Sequence, residues 1–266
     1  MGGQVTVDRE ALHEVKVPRS GFELSLLGGF ELRNSGAVVQ VALSSQRLLA
    51  YLALMERPQP RAHVAGALWP ETTDEKAGAN LRTALWRLAP HGDVVTTSLS
   101  CLVLRSEVWV DVRYVHQTAQ RVLGAPGVHA PAGFDRMRGE LLPGFWDSWL
   151  VFERERLRQE CIHINEACCL AALRSGEGFA AVLAALAAVE CDPVREASNA
   201  LLIRAYLLDG DRARARRHLD AFASLLDREL GVAPAVSTLA LLAEGPREFP
   251  SGRSVEVRGG VEAARP

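Results

Sequence analysis

Lysine is almost missing from this sequence: Lys16 and Lys76 are the only two among 30 cationic residues. Neither follows a glycine, so the Gly-Lys step with which a phosphate-binding loop reaches a nucleotide is absent. No HExxH string and no serine in a GxSxG elbow occurs either. The five cysteines (101, 161, 168, 169 and 191) form no CxxC pair and are odd in number, which argues against disulfides and structural zinc. Cys161, His163, Cys168 and Cys169 do not converge on one helix face, because 163 and 169 point away from the side that 161 and 168 share. The cysteines are read as small buried hydrophobes in a reducing compartment. The longest apolar run, Phe179 to Val189, falls short of the ~20 residues a membrane span needs. Asp8, Glu10 and Glu14 near the start exclude a secretion signal. The expectation is a soluble, cytoplasmic protein that is not an enzyme, with no cofactor, metal or membrane partner.

What is present suits a globular chain of about two domains: 266 residues, 48% hydrophobic and 23% charged. A net charge of −2 and an isoelectric point near 6.4 exclude a chain that coats nucleic acid non-specifically, while allowing a local basic face.

Residues 1–20 show no sustained period and are expected to form a flexible arm. From Phe22 the apolar residues alternate (Phe22, Leu24, Leu26, then Phe30, Leu32, then Val39, Val41, Leu43), with turns at Gly28-Gly29 and Asn34-Ser35-Gly36. That pattern predicts three short antiparallel strands, each with one buried face. The period then becomes helical. Ser44 or Ser45 is the expected N-cap of a first helix carrying Leu48, Leu49, Leu52 and Met55. A second helix is expected from Arg61 to Trp69. A third begins at a capping box, Thr72 with Glu75, and presents Ala77, Leu81, Ala84, Leu85 and Leu88 inward. Two β-like runs, Val94–Thr97 and Cys101–Leu104, and a short strand at 108–112 follow.

Three strands, three helices and a hairpin make the order of a winged helix-turn-helix. Beyond about Tyr114 the pattern is helical, with helices expected near 148–175, 178–190, 193–209 and 211–230. Gly176 and Gly210 stand 34 residues apart, each between two of these helices, the period of tetratricopeptide-like stacking. The predicted fold is therefore α+β followed by all-α. A winged-helix domain spans 21–114, a tetratricopeptide-like helical domain 115–246, and a disordered tail 247–266.

The third helix carries the functional signal. Opposite its apolar side lie Ala79, Arg82, Thr83 and Trp86, with Lys76, Asn80 and Arg87 toward the flanks. Arginine pairs bidentately with guanine, threonine and asparagine read base edges, and small Ala79 permits close approach to a groove floor. Lys76, Arg87, Arg61, His63, Ser44 and Arg47 are the candidate phosphate contacts, Arg61 and His63 also through the start of the second helix. Six cations stand against four anions between Ser44 and His91. Trp86 either touches DNA or packs on a neighbouring element.

Six blocks in order, among them "LLGGFEL", "RAHVAGALWP", "ANLRTALWRL" and "ELLPGFWDSWLVFERERLRQ", resemble the Streptomyces antibiotic regulatory protein family over about 22–245. These proteins join an OmpR-type winged helix to a bacterial transcriptional activation domain. The resemblance implies an activator of antibiotic-type gene clusters, associated with the nucleoid. It would bind direct repeats in double-stranded promoter DNA, self-associate there, and recruit RNA polymerase through its sigma and alpha subunits. By position, Arg82 and Thr83 fall on the family's "LRT" and Arg87 on its "RL". Two departures stand out: the wing, Thr97-Ser98-Leu99-Ser100-Cys101, lacks the family's arginine, and Trp86 replaces a small polar residue. An alternative is a tetratricopeptide-like interaction or ligand-sensing protein whose winged helix binds no DNA by itself.

Overall fold

The computed structural model describes residues 21–124 and 139–243. The expected arm at 1–20 and tail at 247–266 lie outside these residues. The chain divides into two compact units, residues 1–164 and 165–266.

The first unit opens with β1 (Phe22–Ser25), β2 (Glu31–Asn34) and β3 (Ala37–Val38). β1 and β2 pair antiparallel with Leu24 opposite Leu32, both buried, as the alternation requires. Ser35 and Gly36, at φ of 50° and 83°, close a two-residue hairpin from Asn34 to Ala37. Left-handed conformations at both positions are what a type I′ hairpin needs. The third strand was expected on Val39, Val41 and Leu43. It lies instead on Ala37–Val38, both exposed, and Leu43 begins the first helix. The turn fixes this register: pairing starts directly after Gly36 and ends with the Val39 N–H donating to the Leu32 carbonyl at 2.8 Å, so the strand is over before Val41.

α1 (Leu43–Met55) is capped at Ala42, not at a serine. The Ser45 hydroxyl is buried and donates to the Ala84 carbonyl at 3.0 Å, and the Gln46 side chain donates to Val41. Leu48 through Leu54 are all buried, so α1 is enclosed on every side rather than along one stripe. β4 (Gln59–Pro60) leads into α2 (Arg61–Leu68) and then α3 (Asp74–Leu88). The α3 cap is Thr73, whose Oγ1 accepts from Lys76 N at 3.4 Å; Thr72 donates to the Trp69 carbonyl. The expected Thr72–Glu75 box is thereby displaced by one residue, and Lys76 occupies the third helical position, where no carboxylate can reciprocate.

β5 (Val95–Thr97) and β6 (Cys101–Leu104) form the hairpin expected from the sequence, and β4 adds to β6 in the order β4-β6-β5. β7 (Trp109–Val110) returns parallel to β1 and completes the sheet β3-β2-β1-β7. α4 (Asp111–Gly124) starts on a buried carboxylate: Asp111 accepts from Leu26 N at 2.8 Å, Leu27 N at 2.9 Å and Val112 N at 2.7 Å. Burial pushes the Asp111 carboxyl up, and these backbone donors pull it back.

The periodicity places a domain boundary at 114/115, whereas the compact units part at 164/165. Asp111 fastens α4 to β1. Leu142 N donates to the Leu26 carbonyl at 2.8 Å and Gly28 N to Glu140 at 2.9 Å, so 140–142 pairs with the 26–28 segment that follows β1. Arg154, near the start of α5 (Leu150–Ser175), donates to the carbonyls of Leu141, Leu142 and Phe145. These bonds keep α4 and the first part of α5 with the winged unit.

The second unit contains the end of α5, α6 (Gly178–Cys191), α7 (Glu196–Leu208), α8 (Arg212–Leu230) and a short α9 (Val236–Ala240) that the periodicity did not anticipate. Its 34-residue period is visible in the backbone. Gly176 and Gly210 both take left-handed φ, at 76° and 80°. Glu177 N bonds Ala172 O, and Asp211 N bonds Tyr206 O, each at 2.9 Å. Both helix ends therefore close in the same way. A Cβ on Gly178 would come within 3.0 Å of the Asp209 Cα, so glycine is needed where α6 meets the end of α7. Cys169, Leu173, Val182, Leu201 and Leu202 pack between the helices. Burial pushes the Cys169 thiol up to about 12, as a core residue rather than a reactive one.

Candidate nucleic-acid interface

α3 buries Ala77, Leu81, Ala84 and Leu88 and leaves Leu85 half-buried, the face the sequence predicts. Lys76, Ala79, Arg82, Thr83, Trp86 and Arg87 are exposed, and Asn80 is half-buried. All seven expected residues of the strip are therefore on one accessible helix. Trp86 is 75% exposed, so no element among the described residues encloses it. The Thr83 hydroxyl donates to the Ala79 carbonyl at 3.0 Å, which fixes its rotamer while the residue stays exposed.

Among the described residues, Arg61, Lys76, Arg82 and Arg87 form no ion pair, so these cations remain available to an external anion. Arg82 lies back over Gly78, where a Cβ would be 3.6 Å from its Nη1. Arg61 and Arg82 border one 450 Å³ groove between α2 and α3, floored by Ala65, Gly66 and Gly78. Their proximity is not visible in the sequence, where 21 positions separate them.

Two expected phosphate contacts are turned inward. Arg47 pairs with Asp147 and donates to the Leu68 carbonyl, so its guanidinium serves as an internal tie. Ser44 is half-buried, and its hydroxyl is enclosed with no hydrogen-bond partner among the described residues. His63 is exposed on the first turn of α2. The start of that helix is less open than expected, because Arg61 N donates to the Ser100 carbonyl at 2.8 Å and Pro60 carries no N–H. This bond joins the β5–β6 hairpin to α2. Sequence reasoning missed it, although Gln59-Pro60 directly before a helix is a possible edge-strand signal.

Among the described residues, no group of three or more His, Cys, Asp or Glu side chains could hold a metal. No described helix is long and apolar enough to cross a membrane.

Residues 116–244 match the bacterial transcriptional activator domain family. A comparison with curated proteins finds no match. Among solved structures, the chain is similar to Mycobacterium tuberculosis EmbR in complex with a low affinity phosphopeptide, with a TM-score of 0.60 and 19% sequence identity. The similarity covers 84% of this chain and 64% of that one, and at this identity it speaks for the fold. The fold is a small sheet-containing winged-helix region followed by helices, as expected. Residues 116–244 thus carry a segment similar to the bacterial transcriptional activator domain, behind a sheet-containing winged-helix region.

Proposed function

We propose that this protein is a sequence-specific DNA-binding activator whose α3 enters the major groove. The observation that carries this reading is the exposed strip Ala79-Arg82-Thr83-Trp86, with three cations around it that form no ion pair among the described residues. Arg82 and Thr83 take the base-reading positions with Asn80 and Trp86, while Lys76, Arg87, Arg61 and His63 hold phosphates. Two copies bind direct repeats roughly one helical turn apart, about 10–11 bp, so that both lie on one side of the duplex. The helical region then recruits RNA polymerase through its sigma and alpha subunits at promoters of a secondary-metabolite gene cluster.

The test is a gel shift on duplexes that the protein itself selects from a randomised library, repeated across salt concentrations. The reading expects affinity that falls steeply with salt and an Arg82→Ala variant with altered base choice. Selection of no sequence by the folded protein overturns it. Exposed Trp86 and the uncharged hairpin tip favour a second reading, in which the winged unit and the tetratricopeptide-like helices hold a protein partner. Salt-independent capture of protein without DNA selection is the result that reading expects.

A further inference from the structure

The β5–β6 hairpin projects one large apolar side chain into solvent. Leu99, at its tip, is fully exposed. The tip is held firmly: Ser98 N donates to the Cys101 carbonyl at 2.9 Å, Cys101 N to the Ser98 hydroxyl at 2.9 Å, and that hydroxyl to the Cys101 carbonyl at 3.1 Å. From Val94 to Leu104 no residue is charged, and Thr96, Thr97, Ser98 and Ser100 are exposed beside Leu99. The Ser100–Arg61 bond places the tip at the start of α2, beside the groove that Arg61 shares with Arg82.

Resting on the DNA-binding reading above, we propose that Leu99 enters the minor groove next to the segment read by α3 and wedges a base step there. The protein would thereby choose its DNA partly by how easily that step deforms. A helix in the major groove is flanked by phosphate backbones with the minor groove beyond them. The element tied to α2 next to Arg61 reaches that flank. A tip without charge gains nothing from phosphates, which Arg61 can hold, and a rigid leucine is suited to part stacked bases. Leu, Phe and Ile side chains inserted between base steps kink a duplex in this way. The favoured step is pyrimidine–purine, TA above all, because it unstacks most easily and its minor groove lacks the guanine amino group.

The experiment uses the full chain and duplexes that it selects from a randomised library. DNA bending is read from end-to-end energy transfer, and affinity from salt-dependent gel shifts, for wild type, Leu99→Ala and Arg82→Ala. Leu99 is fully exposed, so thermal melting should leave Leu99→Ala folded like wild type. The expected result is a bent complex for wild type. Leu99→Ala should lose the bend and bind about 10-fold more weakly with an unchanged salt slope. Replacing a TA step beside the α3 segment by AA should weaken wild type and leave Leu99→Ala unaffected, whereas Arg82→Ala keeps this step preference. Wild-type bend and wild-type step preference in Leu99→Ala overturn the wedge while leaving the α3 reading intact. Failure of wild type to select any sequence overturns both.

Discussion

Arg47 of α1 holds the carboxylate of Asp147, 100 residues further along the chain, with Nε at 3.0 Å from Oδ1 and 3.2 Å from Oδ2. The same guanidinium reaches the carbonyl of Leu68 at the end of α2. One side chain thus ties the helix that precedes α3 to the segment before α5. Asp147 is only 8% exposed, against 23% for Arg47, so the carboxylate depends on this partner more than the arginine does. Arg47→Ala is expected to cost about 1–3 kcal/mol by leaving that charge enclosed without its donors. Denaturant melts of both single variants and the double variant check this. The double variant should be less destabilised than the sum of the two singles.

The exposed cations of α3 behave differently. Lys76 and Arg87 sit on the flanks of the strip, where a duplex backbone would lie. Each phosphate contact releases condensed counterions, so Lys76→Ala and Arg87→Ala are each expected to lower the salt slope of binding by about 1. Base preference should remain that of wild type. Arg47→Ala, with a guanidinium turned inward, should leave the slope unchanged once folding is matched. Equal slopes for all four proteins would place the duplex somewhere other than on α3.

Much of this was legible in the sequence because period and face follow from local chemistry. Leu81 and Leu88 at helical spacing gave the inner side of α3, and therefore its outer side. Gly176 and Gly210 marked two equivalent helix ends. What escaped the sequence depends on distant partners or on competition between neighbours. Ser44 and Ser45 both suit an N-cap, but Ser45 is drawn inward to Ala84 and the cap falls on Ala42, two residues before Ser44. Thr72 and Thr73 compete for one cap, and Thr73 takes it. Arg47 reads as a surface cation because its partner, Asp147, lies 100 residues away and outside the expected helices. The extension of the first unit to residue 164 likewise rests on backbone bonds between the 26–28 and 140–142 segments, which no local pattern announces.

In the second unit, Glu166 takes the place that Asp147 holds in the first. Its Oε1 accepts from Arg195 Nε at 2.8 Å and from the buried Ser198 hydroxyl at 2.7 Å, and its Oε2 from Arg195 Nη2 at 3.2 Å. This joins α5 to the start of α7. Glu166→Gln retains the shape, but one carboxylate oxygen becomes a donor facing donors. The expected cost is about 1–3 kcal/mol, read as a lower melting midpoint, with the exposed strip of α3 untouched. Ser198→Ala should cost less, since Arg195 still satisfies the carboxylate.

His218 on α8 provides a test by pH. Its Nε2 lies 2.9 Å from Asn199 Oδ1, and the Asn199 amide donates to the Pro193 and Arg195 carbonyls at 2.9 and 2.8 Å. Those two bonds orient the asparagine with its oxygen toward the ring, so the imidazole donates from Nε2. Burial lowers the His218 pKa from its ordinary 6.5. The unfolded chain therefore binds this proton more readily than the folded one. The contribution to stability is fully present above about pH 6.5 and diminishes as pH falls from there toward the depressed folded value. His218→Gln keeps a donor toward Asn199 and cannot titrate, so its stability should fall less than that of wild type between pH 7 and pH 5.5 in parallel melts. Identical pH slopes for the two proteins would mean that His218 takes up its proton in the folded state as easily as in the unfolded one.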